Sequence, residues 1–90
     1  MSTKVIHPYI AFRKDIGNGS PIIAGTRTRV SNIIAYYKLG FSPEELVREF
    51  PHVTLSQIHD ALSYYYEHQK EVDKEIDEDS EERIKRLIKK

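Results

Sequence analysis

Apolar residues recur at two different periods along this chain. Tyr9 to Phe12 and Pro21 to Ala24 are short apolar runs on either side of the turn-rich stretch Asp15-Ile16-Gly17-Asn18-Gly19-Ser20. They read as two short β-strands that can form a hairpin. An isolated hairpin is barely stable in water, so it must pack on the rest of the chain or pair with a second copy. From Ser31 the period becomes helical. Ile33, Ile34 and Tyr37 share one face of a first helix over Ser31 to Leu39, which Gly40 ends. Leu46, Val47 and Phe50 repeat the spacing in a second helix, and Ile58, Ala61, Leu62 and Tyr65 in a third. Three short helices with such faces predict a compact trihelical core.

Two helix-start signatures fix the second and third of these helices. Ser42-Pro43-Glu44-Glu45 opens one, and Thr54-Leu55-Ser56-Gln57 opens the next 12 residues later. Each hydroxyl can accept from the amide three residues on, while Glu45 or Gln57 reaches back to the cap. Pro43 suits the first helical position, where a missing N–H costs nothing. Phe41 with Leu46, and Val53 with Ile58, stand at hydrophobic-staple spacing. The outcome is a helix over Pro43 to Phe50, a tight turn at Pro51-His52-Val53, and a longer helix from Leu55. This is the outline of a DNA-binding helix-turn-helix, and equally of a packing corner in a small helical bundle.

The tail differs from both. After Tyr66 the chain is densely charged, and its apolar residues thin to Val72, Ile76, Ile84, Leu87 and Ile88. They keep a helical stripe that Asp77-Glu78-Asp79 interrupts, and Asp79 or Ser80 can cap a new helix there. The stripe is too narrow to fold alone, and a completed trihelical core leaves it no place. It is either a solvated helical extension or a segment that orders against a partner, and the second reading is the one carried forward. The chain thus divides into an N-terminal β element over 1–29, a helical core over 30–66 and a charged tail over 67–90.

Ninety residues make one domain. With no cysteine, neither disulfides nor thiolate metal sites support it, and a reducing cytoplasm is the expected setting. No stretch has the apolar length of a signal peptide or membrane span. The formal net charge of zero hides a gradient: +5 through Phe41, −3 from Ser42 to Tyr66 and −2 beyond. The basic N-terminal half suits phosphate, whereas the acids Glu44, Glu45, Glu49 and Asp60 weigh against a simple electrostatic case for DNA.

Catalysis is not expected, and no cofactor or metal is called for. His7, His52, His59 and His68 are never three or four residues apart, so no two form a metal pair on one helical turn. They read as surface or turn residues. No Gly-x-Ser-x-Gly elbow and no phosphate loop is present. The segment Gly25-Thr26-Arg27-Thr28-Arg29-Val30 does stand out. Arg27 and Arg29 follow a turn glycine directly before the first helix, where they can grip phosphate. Arg27 can equally tie the turn to an acid of the second helix. On the third helix the core positions leave Ser56, Gln57, His59, Asp60 and Ser63 outward. Ser56, Gln57 and His59 are the candidates for base edges, with Gln57 suited to adenine.

Gly19-Ser20-Pro21-Ile22-Ile23-Ala24-Gly25-Thr26-Arg27, then Gly40-Phe41-Ser42-Pro43-Glu44-Glu45-Leu46 and Phe50-Pro51-His52-Val53-Thr54, resemble a family of small prokaryotic proteins. That family, catalogued as domain of unknown function four-three-three, looks like a branch of the VapB-type antitoxins. The likeness spans Tyr9 to Tyr66. Departures fall at Ser20, where the family usually has lysine or arginine, and at Arg29, where it usually has proline. The resemblance implies a mainly α, homeodomain-like three-helix DNA-binding bundle with a short N-terminal β-hairpin and a C-terminal charged helical tail. It implies a homodimer that binds operator DNA and neutralises a PIN-domain ribonuclease toxin. The tail then becomes the toxin-binding segment, with Val72, Ile76, Ile84, Leu87 and Ile88 as apolar contacts. Arg83 or Arg86, between which the spacing does not choose, would bridge the toxin's metal-binding carboxylates, the plain alternative for both being solvated pairing along the helix. A different class, an interaction module that inhibits a partner without touching DNA, stays open because the second helix is acidic.

Overall fold

Four helices follow a short β-hairpin. The computed structural model describes residues 7–88, with side chains through Asp79. Strands β1 (Ile10–Phe12) and β2 (Pro21–Ile23) pair antiparallel, with Ile10 opposite Ile23 and Phe12 opposite Pro21. Between them lies a 3₁₀ turn, Gly17–Gly19, in which both glycines and Asn18 hold positive φ. Helices α1 (Val30–Lys38), α2 (Pro43–Glu49), α3 (Leu55–Glu67) and α4 (Gln69–Ile88) complete the chain.

Local chemistry sets these boundaries. At the start of α2, the Glu45 amide donates to Ser42 Oγ (3.2 Å) and the Ser42 amide donates to Glu45 Oε1 (2.8 Å). Thr54 and Gln57 make the same reciprocal pair at α3, at 3.2 and 2.8 Å. Each box satisfies two amides that a helix start otherwise leaves without partners. The hairpin is held by packing, as an isolated one must be: Ile23 is fully buried and joins the core formed with α1.

The core corrects the expected division of the chain. Val30, Ile33 and Ile34 of α1 meet Leu46 of α2 and Ile58, Ala61, Leu62 and Tyr65 of α3, but Val72 of α4 belongs to the same cluster. Val72 is only 1% exposed, and Ile76 packs against the cluster one turn later. The chain turns at His68, whose φ −132 and ψ 41 leave the helical region, and α4 then lies mainly along α1. Three short helices alone leave α1 uncovered, so the stripe assigned to a partner is used at home. The toxin-contact role expected of Val72 and Ile76 is therefore withdrawn, and the boundary at residue 66 falls inside the folded unit.

A second correction concerns Asp77-Glu78-Asp79, where no break occurs: α4 is continuous from Gln69 to Ile88. Asp79 is held by Arg29, which offsets part of the acidic repulsion there. Val47 and Phe50 are only half-buried, because the short α2 lies at the edge of the core. Ile84, Leu87, Ile88, Arg83 and Arg86 lie outside the residues whose side chains are described. Among the described residues no helix is long and apolar enough to cross a membrane.

Truncating Val72 removes two methyl groups from a closed core. Val72→Ala should destabilise the protein by about 2 kcal/mol. The exposed Lys74→Ala on the same helix should shift the urea midpoint within error. A chain ended at Tyr66 loses this wall and should unfold without a cooperative transition.

Candidate nucleic-acid interface

The outward face of α3 and the loop before α1 carry the residues singled out for DNA contact. Ser56, His59 and Ser63 are exposed along α3. Thr28 and His52 bridge the Gly-Thr-Arg loop to the turn between α2 and α3, with Thr28 Oγ1 and His52 Nε2 2.5 Å apart. Inside the loop, Thr26 Oγ1 donates to the Ile23 carbonyl (2.8 Å) and accepts from the Thr28 amide (3.0 Å). Gly25 permits the bend with φ 79. Arg27 is exposed in this loop, next in sequence to the Thr28 that meets His52.

Arg27 and Arg29 part company here. The guanidinium of Arg29 donates to Asp79 of α4 in a partly covered ion pair. Its stem passes the 3₁₀ turn so closely that a Cβ at Gly17 would stand 2.8 Å from Arg29 Cδ, so glycine is needed there for space as well as for its φ of 59. Arg29 thus ties the loop to α4, and its expected phosphate contact is corrected to a structural one. The tie weighed for Arg27 is to an acid of the second helix; Arg29, two residues on, makes one to α4 instead.

Gln57 is also committed in part. Its carbonyl oxygen caps the Thr54 amide, so the bidentate adenine contact, which needs oxygen and nitrogen together, is closed to it. Only its amide donors remain for a base. Asp60, the residue that faces a polyanion least well, is turned aside: its carboxylate meets His7 Nδ1 at 2.9 Å and accepts from the Tyr9 amide at 3.0 Å. His7 is largely covered, so it is not the loose surface residue expected from sequence. No periodic signal could have found it, since its partners lie 53 and 60 residues away.

Around this face the ionisable groups mark the joints. Asp73 accepts from Lys38 Nζ at 2.9 Å and from the Tyr65 hydroxyl at 3.0 Å. The hydrogen bond from Lys38 holds the Asp73 carboxyl below its usual range, against a small effect of burial. The same bond raises Lys38. Glu45 is likewise lowered, by the backbone and side-chain hydrogen bonds of its capping box. Beside it Phe41, Glu45, Arg48 and Glu49 line an open hollow of about 300 Å³ on α2. No cluster of three metal-ligating side chains occurs among the described residues.

A small, mainly helical domain with a two-stranded hairpin is the class this geometry defines. A family model described as protein of unknown function DUF433 matches residues 10–65, and the chain belongs to that family. The crystal structure of a DUF433 member protein from Anabaena variabilis ATCC 29413 is similar to it, with a TM-score of 0.70 and 28% identity. That match covers 76% of this chain and 67% of the other. No functionally curated protein matches.

The α3 cap gives a test of how this face is held. Thr54→Ala leaves the Gln57 amide unpaired and should cost about 1 kcal/mol. Amide exchange should quicken at the start of α3 and leave α1 unchanged.

Proposed function

We propose that the protein is an antitoxin that binds its own operator as a homodimer through α3 and neutralises a PIN-domain ribonuclease. The observation that carries this reading is the state of the α3 face. Asp60, its only acid between Leu55 and Tyr66, is engaged by His7, while Ser56, His59 and Ser63 stay exposed on α3 and Arg27 stays exposed in the loop before α1. A helix placed this way can enter a major groove and present hydroxyl and imidazole groups to base edges, with Arg27 on phosphate. Two copies suit the palindromic sites that such dimers read.

The neutralising surface is moved outward along α4. With Val72 buried and Ile76 packed against the core, the segment beyond Asp79 is assigned to the toxin, and Arg83, Ile84, Arg86, Leu87 and Ile88 are its proposed contacts. Guanidinium groups suit the carboxylates that gather a divalent metal in such a nuclease. The exposed Glu44 and Glu49 and the hollow on α2 favour a second reading, in which the domain inhibits a partner without binding DNA.

Ending the chain at Asp79 keeps every buried contact among the described residues and the Arg29 tie. That protein should unfold cooperatively and still shift a duplex from upstream of its gene, yet fail to protect cells from the neighbouring toxin. Full protection would refute the α4 assignment. In the full chain Arg27→Ala should weaken all duplexes alike and lower the salt slope by about 1, whereas His59→Ala should cost roughly 1–3 kcal/mol at one base position. If no upstream duplex binds at low salt, with or without toxin, the second reading replaces the first.

A further inference from the structure

Two carboxylates hold the two ring nitrogens of one imidazole. His7 Nδ1 is 2.9 Å from Asp60 Oδ1, and His7 Nε2 is 2.5 Å from Glu67 Oε1. A neutral imidazole donates from one nitrogen and offers a lone pair at the other, so it satisfies one carboxylate and repels the second. Only the imidazolium donates to both. The two acids stand seven residues apart on α3, two turns of one helical face, and His7 spans them. Tyr64 meets its ring edge-on at 5.4 Å, and the side chain is only 10% exposed.

We propose that His7 is a pH-sensitive clasp that, when protonated, fastens the N-terminal segment to α3 and cancels negative charge on the DNA-facing helix. The clasp is a property of the fold, while its effect on affinity rests on the reading of α3 as the operator-binding helix. The fastening passes directly into the chain: the Tyr9 amide donates to the free oxygen of Asp60 at 3.0 Å, and the Tyr9 carbonyl accepts from the Ala24 amide beside β2. With the ring neutral, one carboxylate faces a lone pair, the segment before β1 loosens, and Asp60 and Glu67 are uncovered. Both then oppose a polyanion.

No cation among the described groups facing His7 competes for these acids. From α3 it meets Asp60, Glu67 and Tyr64, and from its own segment Tyr9. Behind Tyr64 the His68 ring stacks at 4.3 Å and hydrogen-bonds to Glu71 of α4. Burial lowers the His7 pKa, but the hydrogen bonds and charges of Asp60 and Glu67 outweigh it and raise it above the ordinary 6.5. The clasp's contribution is therefore complete below about pH 6.5 and is lost as pH rises through the higher folded value. This direction agrees with the two-donor geometry.

Ring-nitrogen NMR of the full chain reads the clasp without any ligand. His7 should titrate above 6.5. It should carry a proton on both nitrogens at the acid end of the titration. In Asp60→Asn its midpoint should fall, and in the wild type the exchange protection of the Tyr9 amide should disappear across the same midpoint. A His7 midpoint at or below 6.5, or Tyr9 protection indifferent to it, overturns the proposal. Binding of an upstream duplex reads the electrostatic link. Protonating His7 should tighten it about fivefold at physiological salt, the weight of one counterion. His7→Gln should lack that increment and keep only what the other histidines supply. An equal pH response in His7→Gln overturns the link. If the wild type binds no duplex at any pH, the operator reading and the link fall together, while the NMR arm still decides the clasp.

Discussion

Closure of the core by α4 is the constraint on which the rest of the structure depends. α1 is central: it packs against β2, α2, α3 and α4, and Val30, Ile33 and Ile34 have no accessible surface. Three short helices and six residues of strand cannot surround it. Val72 and Ile76 cover what remains, and burial of two such side chains is worth a few kcal/mol, a large share of the stability available to so small a domain. Removing them would leave apolar surface on α1 open to water.

Polar contacts then fix where α4 lies without supplying the main driving force. Asp73 gathers Lys38 from α1 and the Tyr65 hydroxyl from α3, so three helices meet at one carboxylate. Six residues later Asp79 receives Arg29, which links the helix to the loop before α1. Pairs this exposed add at most about 1 kcal/mol each, but their directionality selects one orientation of an otherwise greasy contact. Arg29 reaches Asp79 only because Gly17 leaves space beside its stem. A hairpin turn, a loop cation and a late helical acid therefore form one mechanical unit.

How much of this could be read from the sequence follows the range of each interaction. Capping boxes at Ser42 and Thr54 are written within four residues, and both occur as expected. The hairpin and the core faces of α1 and α3 were legible from period alone. The place of α4 was not, because Val72 and Ile76 make the same four-residue stripe whether they meet α1 or another protein. Charge density made that segment look solvated, yet Val72 is buried and Ile76 packs against the core. The family match ends at residue 65, so the resemblance itself stops short of this wall. Arg27 and Arg29 were equivalent by spacing, and only the fold separates the exposed one from the paired one. His7 was invisible because its chemistry depends on residues more than 50 positions away.

These contacts also decide how the charges of an acidic chain segment are arranged in space. Between Ser42 and Tyr66 the net charge is −3, but the acids are not distributed evenly in space. Glu45 is drawn into its own helix cap and Asp60 into the grip of His7, while Glu44 and Glu49 stay on α2. Part of the charge that looks prohibitive along the sequence is thus engaged by contacts the fold itself makes. The same contacts leave Arg27 as the exposed cation of its loop, because its neighbour is committed to α4. Electrostatic character here is set less by composition than by which charged groups the tertiary structure consumes, and the groups left over define the surface that can meet a partner.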